Sequence, residues 1–143
     1  VPILPGLLRE VGYRVGIHMK AYQGTRPEVV IGGSAQHFLG EYMAGGVLMV
    51  LGLTLESGEQ HQANFIGTGM HGGAIYIRGE LADHQLGKGV GRVPLETADE
   101  ALIKELVEGY VGHFGGYAAA ILAQPFLKLV PLSLRPYGRL YAY

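Results

Sequence analysis

The chain has 143 residues, enough for one domain with its own core and too few for two ordinary ones. Its 48% hydrophobic and 16% charged residues exclude a disordered chain, and 11 Lys and Arg against 12 Asp and Glu, with no basic run, exclude the electrostatic footprint of a nucleic-acid or anionic-lipid binder. No apolar stretch free of breakers reaches the ~18 residues of a membrane span, no signal peptide opens the chain, and the absence of cysteine removes disulfides, thiolate zinc sites, iron–sulfur ligation and a cysteine nucleophile together, so no membrane partner and a cytoplasmic setting are expected.

Residues 1–28 read as a lead-in punctuated by proline and glycine, with weak alternation over residues 13–20. With Val1 in place of methionine, a trimmed or processed fragment with N-terminal elements missing is one expectation. Val29, Val30 and Ile31 behind Pro27 are the first clear strand candidate. From there to residue 94 glycine dominates: the chain holds 24 of them, against an average near ~7% of residues. Without a strict period of three, and interleaved with Val, Ile, Leu and Met, they are neither collagen nor a flexible linker.

FLGEYMAGGVLMVLG, residues 38–52, aligns without a gap on FIGTGMHGGAIYIRG, residues 65–79, at an offset of 27. Phe38 matches Phe65, Gly40 matches Gly67, Met43 matches Met70, Gly45-Gly46 matches Gly72-Gly73, and Gly52 matches Gly79. Within the second copy, Gly67, Gly69 and Gly72 also satisfy G-x-G-x-x-G. A dinucleotide loop needs a helix to follow it, because the helix N-terminus supplies the N–H groups facing the pyrophosphate. Here AIYIRG follows and reads as a strand, so these glycines, with Gly40, Gly45, Gly46, Gly52, Gly73 and Gly79, are expected to be corners of a structural repeat.

Period-2 alternation turns Ile75 and Ile77 inward and Ala74, Tyr76 and Arg78 to the other face. The offset then turns Leu48 and Val50 inward and leaves Val47, Met49 and Leu51 outward. That second face is also apolar and needs a cover. Two covers fit, the C-terminal half of the chain or another subunit, so Val47, Met49 and Leu51 are the interface candidates of a homo-oligomer. Residues 54–62 are a polar loop, and residues 80–94 supply one further partial rung that Pro94 ends.

At Thr97 the period changes. Thr97-Ala98-Asp99-Glu100 fits a capping box, and Leu102, Ile103, Leu106, Val107, Tyr110, Val111 and Phe114 recur at helical spacing. Gly109 and Gly112 each cost about 1 kcal/mol inside such a helix, which packing must offset. Gly115-Gly116 ends it, an Ala-rich turn follows over residues 117–123, and Pro125 stops that. Residues 124–143 form a strand around residues 127–130 and a tail carrying Arg135, Tyr137, Arg139, Tyr141 and Tyr143. The predicted fold is a single mostly β domain over residues 1–143. It is a short right-handed single-stranded parallel β-helix, its glycine-cornered rungs in residues 29–94, with C-terminal α-helices in residues 97–123 packed on it.

GEYMAGGVLMVLG, residues 40–52, NFIGTGMHGGAIYI, residues 64–77, the capped helix and PFLKLVP, residues 125–131, resemble the glycine-repeat β-helix domain at the C-terminus of the glutamate synthase large subunit, a domain shared with one of the subunits of formylmethanofuran dehydrogenase. The resemblance covers the chain from about residue 29 onward. It departs in two ways: the family domain has more rungs on its N-terminal side, and RPYGRLY, residues 135–141, is not the large enzyme's ending. A stand-alone, shortened relative fits both. The resemblance implies a non-catalytic scaffold without a cofactor, because in the large enzyme this domain carries no flavin, iron–sulfur or glutamine-hydrolysing residues. Its implied partners are amidotransferase and flavin-bearing subunits.

The residues also admit an independent hydrolase. A serine esterase would use Ser34 with His37 or His71 as base and Asp83 as orienting acid, although Ser34, in GGSAQ, has no nucleophile elbow around it and reads as a turn hydroxyl. The six histidines include no H-x-H and no H-E-x-x-H, so no metal site is read from them. Glu96, Asp99 and Glu100 sit at a helix start, where the dipole favours negative charge.

Overall fold

A computed structural model describes residues 17–20 and 27–132. The rest of the lead-in and the Arg- and Tyr-rich tail lie outside the described residues. In chain order the strands are β1 (Ile17–Lys20), β2 (Glu28–Ile31), β3 (Val47–Val50), β4 (Ala74–Arg78), β5 (Val90–Val93) and β6 (Phe126–Pro131), with a 3-10 turn at Asp83–Gln85. Between β5 and β6 come α1 (Thr97–Phe114) and the short α2 (Ala118–Leu122). The strands form one sheet in the order β1-β2-β3-β4-β6-β5.

The sheet is mixed. β2, β3 and β4 run parallel; Val47 lies opposite Ala74 and Val50 opposite Ile77, so the sequence offset of 27 is the spacing between the β3 and β4 layers, whereas β2 meets β3 with Glu28 opposite Val47. β1 lies antiparallel on the free edge of β2. At the other side the parallel run stops, because β6, returning from the helices, pairs antiparallel with β4 and then with β5. The expectation of a mostly β chain folded as a short right-handed parallel β-helix holds only in part, since the parallel pairing is confined to β2, β3 and β4 and the other pairings are antiparallel. One helix of 18 residues outweighs any strand, and the fold is a mixed α/β arrangement.

The connections stack as the strands do. Phe38 N–H donates to Asn64 C=O at 2.8 Å, Gly67 N–H to Leu39 C=O at 2.7 Å, and Tyr42 N–H to Thr68 C=O at 2.9 Å. One layer on, Ile66 N–H reaches Gln85 C=O and Gly87 N–H reaches Ile66 C=O, with Ile66 and Leu86 in a parallel bridge. Backbone groups that would face solvent in one turn are satisfied by the next.

Both faces of the sheet are buried, and each has its own core. Ile75, Ile77, Val50 and Leu129 join Ile66, Met70 and Ala63 from the glycine turns. On the opposite face Met49, Leu51, Tyr76 and Val30 meet Ile103, Leu106, Val107 and Tyr110 of α1 and Ile121 of α2. Met49 and Leu51 are wholly inaccessible, with Val47 packed at the margin. The cover for this face, for which a further protomer was the other candidate, is thus internal: the apolar stripe of α1 needs a surface, and β3 and β4 supply it. The stripe closes at Val111, since Phe114 is 39% exposed.

Arg78 fastens the end of the sheet to the helices. Its Nε donates to Ile121 C=O at 2.8 Å and its Nη1 to Leu51 C=O at 3.2 Å. Burial lowers its pKa from the ordinary arginine value, and the two carbonyls compensate part of that desolvation. Arg78→Met is expected to leave both carbonyls without their partner and lower stability by about 1–3 kcal/mol, read as a shifted urea midpoint at constant m. Arg78→Lys is expected to recover little, because one ammonium does not reproduce the fork.

Candidate functional site

The repeat corners are where a nucleotide loop would have to lie. The equivalent residues Gly40 and Gly67, Gly46 and Gly73, and Gly52 and Gly79 all have φ between 62° and 104°. Tyr42 (φ 56°) and Gly69 (φ 71°) are likewise equivalent, so one left-handed position carries a tyrosine in the first copy and glycine in the second. The reason is packing: an added Cβ at Gly69 would lie 2.5 Å from two ring carbons of Tyr42. The space over Gly69 belongs to a side chain of the preceding layer. Gly45 and Gly72 complete their pairs at the strand entries, where Gly72 N–H points to Met43 C=O.

The residues of the hydrolase reading are spread among other duties. Ser34 is exposed in the loop after β2. His37 accepts the Asn64 N–H on Nδ1 at 2.9 Å, so in the neutral ring its proton is on Nε2. His71 is half-buried, and its backbone N–H donates to Met43 C=O. Asp83 is engaged by Arg92, whose guanidinium also donates to Leu81 C=O. Among the described residues no hydrogen bond joins Ser34 to either histidine, or either histidine to Asp83. No three His, Asp or Glu among the described residues come together as a metal-binding group.

Three polar groups that the sequence did not single out for a site are buried. Gln85 donates to His61 C=O and Ala63 C=O and accepts the Ala82 N–H, stitching the loop before the second copy to the 3-10 turn. His61 donates from Nε2 to Arg78 C=O at 2.7 Å. The third, Asp99, is the electrostatic centre of the molecule. Its Oδ1 accepts the Tyr76 hydroxyl at 2.6 Å and the Lys128 ammonium at 2.8 Å, while its Oδ2 accepts the Glu96 N–H at 2.8 Å. This shifts the helix cap: Glu96 rather than Thr97 is the N-cap, because Asp99, held from below by Tyr76 and Lys128, reaches the Glu96 N–H while Glu100 points to solvent. Burial alone would raise the Asp99 pKa, but the bonds from Lys128, Tyr76 and Glu96 outweigh it and hold the carboxyl down to about 2. Burial, followed by the adjacent carboxylate, raises the Tyr76 phenol. A lone tyrosine facing a helix start rich in carboxylates was the available signal for this contact.

A cleft of about 630 Å³ opens beside the loop of residues 52–61, lined in part by Glu56, Glu59, His61, Arg78 and Gln124. Its cation and its imidazole are already bonded to backbone carbonyls, and its other charges are acidic. Exposed aromatic rings gather at the corner of the repeat. The Phe38 and Phe65 rings stack with centroids 5.0 Å apart and planes 14° from parallel. Tyr42, in the same stacked turns, is 66% exposed and has its ring over Gly69.

Stacked glycine turns, with helices closing the reverse face of the sheet, are the features that define the domain. The chain matches the GXGXG motif family over residues 7–132, and it belongs to that family. It is also 43% identical over 137 residues to an uncharacterized protein of Methanocaldococcus jannaschii. The match covers 92% of this chain and 52% of the relative, so the chain spans about half the length of that curated protein. Among the described residues no helix is long and apolar enough to cross a membrane.

Proposed function

We propose that this chain is a non-catalytic structural and interaction module of a glutamate synthase-type oxidoreductase, acting in the cytoplasm beside amidotransferase and flavin-bearing partners in glutamate formation. Family membership supports the reading, and one structural observation carries it: the motif glycines are filled from within. Gly69 lies under Tyr42, and an added Cβ at Gly73 would sit 2.8 Å from Gly46 C=O, which supports a role for these glycines in packing one layer on the next. The equivalent role within a formylmethanofuran dehydrogenase differs only in the partners.

Co-expression with the glutaminase- and flavin-bearing polypeptides of a glutamate synthase, or with the other subunits of a formylmethanofuran dehydrogenase, tests it. The chain is expected to co-purify with one set, and to show neither glutaminase nor ester hydrolysis alone. Purification as a partner-free monomer with ester turnover that disappears in Ser34→Ala would replace the scaffold with a hydrolase. Turnover that survives Ser34→Ala would remove Ser34 from any such role.

A further inference from the structure

The layers of the sheet do not need the long connection that follows β3. Phe38 lies seven residues beyond the end of β2, and its equivalent Phe65 lies fifteen beyond the end of β3, a surplus of eight. The registers carry the same surplus: Glu28 and Val47 are 19 residues apart, Val47 and Ala74 are 27, and the bridged pair Ile66 and Leu86 are 20. The extra residues form a lip that stacking does not require, and loops added to a rigid frame are where binding chemistry is carried. The lip is built rather than slack. Glu59 N–H closes a turn on Glu56 C=O at 2.9 Å, and at its base the His61 ring bonds Arg78 C=O while the His61 carbonyl accepts the Gln85 amide. Residues 56–60 are all exposed, so none of them is spent on the core.

The lip borders the cleft of about 630 Å³, which Arg78, Glu80 and Gln124 also line. Two features define what this cleft can hold. The first is charge. Glu56, Glu59 and Glu80 are exposed carboxylates with no ion pair among the described residues, while the Arg78 guanidinium is held on the carbonyls of Leu51 and Ile121. The second is His61, which is 6% exposed. Its Nε2 carries the proton donated to Arg78 C=O, so in the neutral ring Nδ1 is an acceptor. No hydrogen bond engages Nδ1 among the described residues, yet no buried polar side-chain atom there lacks a partner; this nitrogen is therefore open, and what it opens on is the cleft that His61 lines. An acceptor on a buried ring and three free carboxylates call for a cation that carries N–H donors. No three of these groups converge on one point, so a compact metal ion does not fit them, and a chain with its charges spaced apart does.

We propose that this cleft is a binding site for a linear organic polyamine, one ammonium donating to His61 Nδ1 and the others lying against Glu56, Glu59 and Glu80. Separated ammonium groups match separated carboxylates, and the methylene stems between them can lie on Leu53 and Leu55, which share the cleft. The site adds to the scaffold role and does not depend on it, because the lip is the part of the chain that the layering leaves over.

Calorimetric titration of the full chain with spermidine, in mildly alkaline buffer at constant ionic strength, tests it. Saturable binding at one site is expected, with putrescine weaker and with magnesium ion unable to displace the triamine. Glu56→Gln with Glu59→Gln, at two exposed positions of the lip, is expected to weaken spermidine about tenfold. Glu100→Gln with Glu108→Gln changes the net charge equally at exposed positions of α1 and is expected to leave the affinity as it was. With nitrogen-labelled histidine, the His61 Nδ1 resonance is expected to move on saturation. Absence of saturable binding, equal losses in the two double variants, displacement by magnesium, or a His61 ring resonance that stays in place would each overturn the proposal. Tighter binding of a trilysine peptide than of spermidine would also overturn it, assigning the cleft to a basic segment of a partner polypeptide.

Discussion

Gly73→Ala is expected to cost about 3 kcal/mol or to prevent folding, while Gly58→Ala costs about 1 kcal/mol. The two glycines share a backbone conformation, φ 83° and 84°, so the penalty of placing a Cβ in the left-handed region is common to both. They differ in what the Cβ meets. At Gly58 it meets nothing within 4 Å, whereas at Gly73 it would lie 2.8 Å from Gly46 C=O and 2.9 Å from the Gly45 carbonyl carbon. Those are backbone atoms of the preceding layer, held there by the Ala74 N–H bond to Gly46 C=O at 3.1 Å, and they cannot swing aside as a side chain would. Overpacking of about 1–3 kcal/mol therefore adds to the conformational cost, in a molecule whose whole stability is on the order of 5–15 kcal/mol. Paired urea denaturation curves decide it. Equal losses at the two positions would mean that the layers separate freely and that close nesting is not what the glycines serve.

Asp99→Asn is expected to be the most damaging single change on the helix side, at about 3 kcal/mol, because neutralising one member of a buried pair leaves the other charge uncompensated. Asparagine keeps one acceptor oxygen, and with it on the Glu96 N–H the amide nitrogen faces the Tyr76 hydroxyl and the Lys128 ammonium, so the loss is that of the Lys128 partner together with the acceptor of the Tyr76 hydroxyl. Lys128 retains some exposure, 21% for its side chain, which keeps the figure at the lower end. Asp99→Asn with Lys128→Met should regain most of the loss, because the unpaired ammonium is then gone and its stem is replaced by an apolar chain of similar volume. Tyr76→Phe is expected to cost about 1 kcal/mol for the missing hydrogen bond.

The same carboxylate sets an acid limit. Its folded pKa, about 2, lies below the 3.8 of a free aspartate. Its contribution of roughly 2 kcal/mol is therefore fully present above about pH 4 and lost as the pH falls from there toward about 2. The Asp99→Asn variant should show a flatter stability profile across that window. A profile as steep as that of the unsubstituted chain would place the acid sensitivity elsewhere.

The sequence made the layering legible because left-handed corners recur: a 27-residue offset in glycine became the register of Val47 on Ala74. The inward set of Ile75, Ile77, Leu48 and Val50 was readable for the same local reason. What covers the reverse face was not, since periodicity says that Met49 and Leu51 need a neighbour without naming it; α1 and α2 are brought there by a connection through β5 and back through β6. The cap moved from Thr97 to Glu96 because Asp99 answers to Tyr76 and Lys128, residues 23 and 29 positions away in the chain, and local box rules count only neighbours. The pairing of Tyr42 with Gly69 escaped for a related reason. It appears as a mismatch in the repeat, and its cause is visible only when the two turns are stacked.

The position of β6 constrains how the molecule can be made. β5 belongs to the sheet only through β6, which is the last strand among the described residues and lies between β4 and β5. A nascent chain that has emerged only as far as α2 has an open edge on β4 and a β5 with nothing to pair with. The sheet closes in one late event, when residues 126–131 insert between two strands already synthesised, so its formation waits on that segment rather than following synthesis strand by strand.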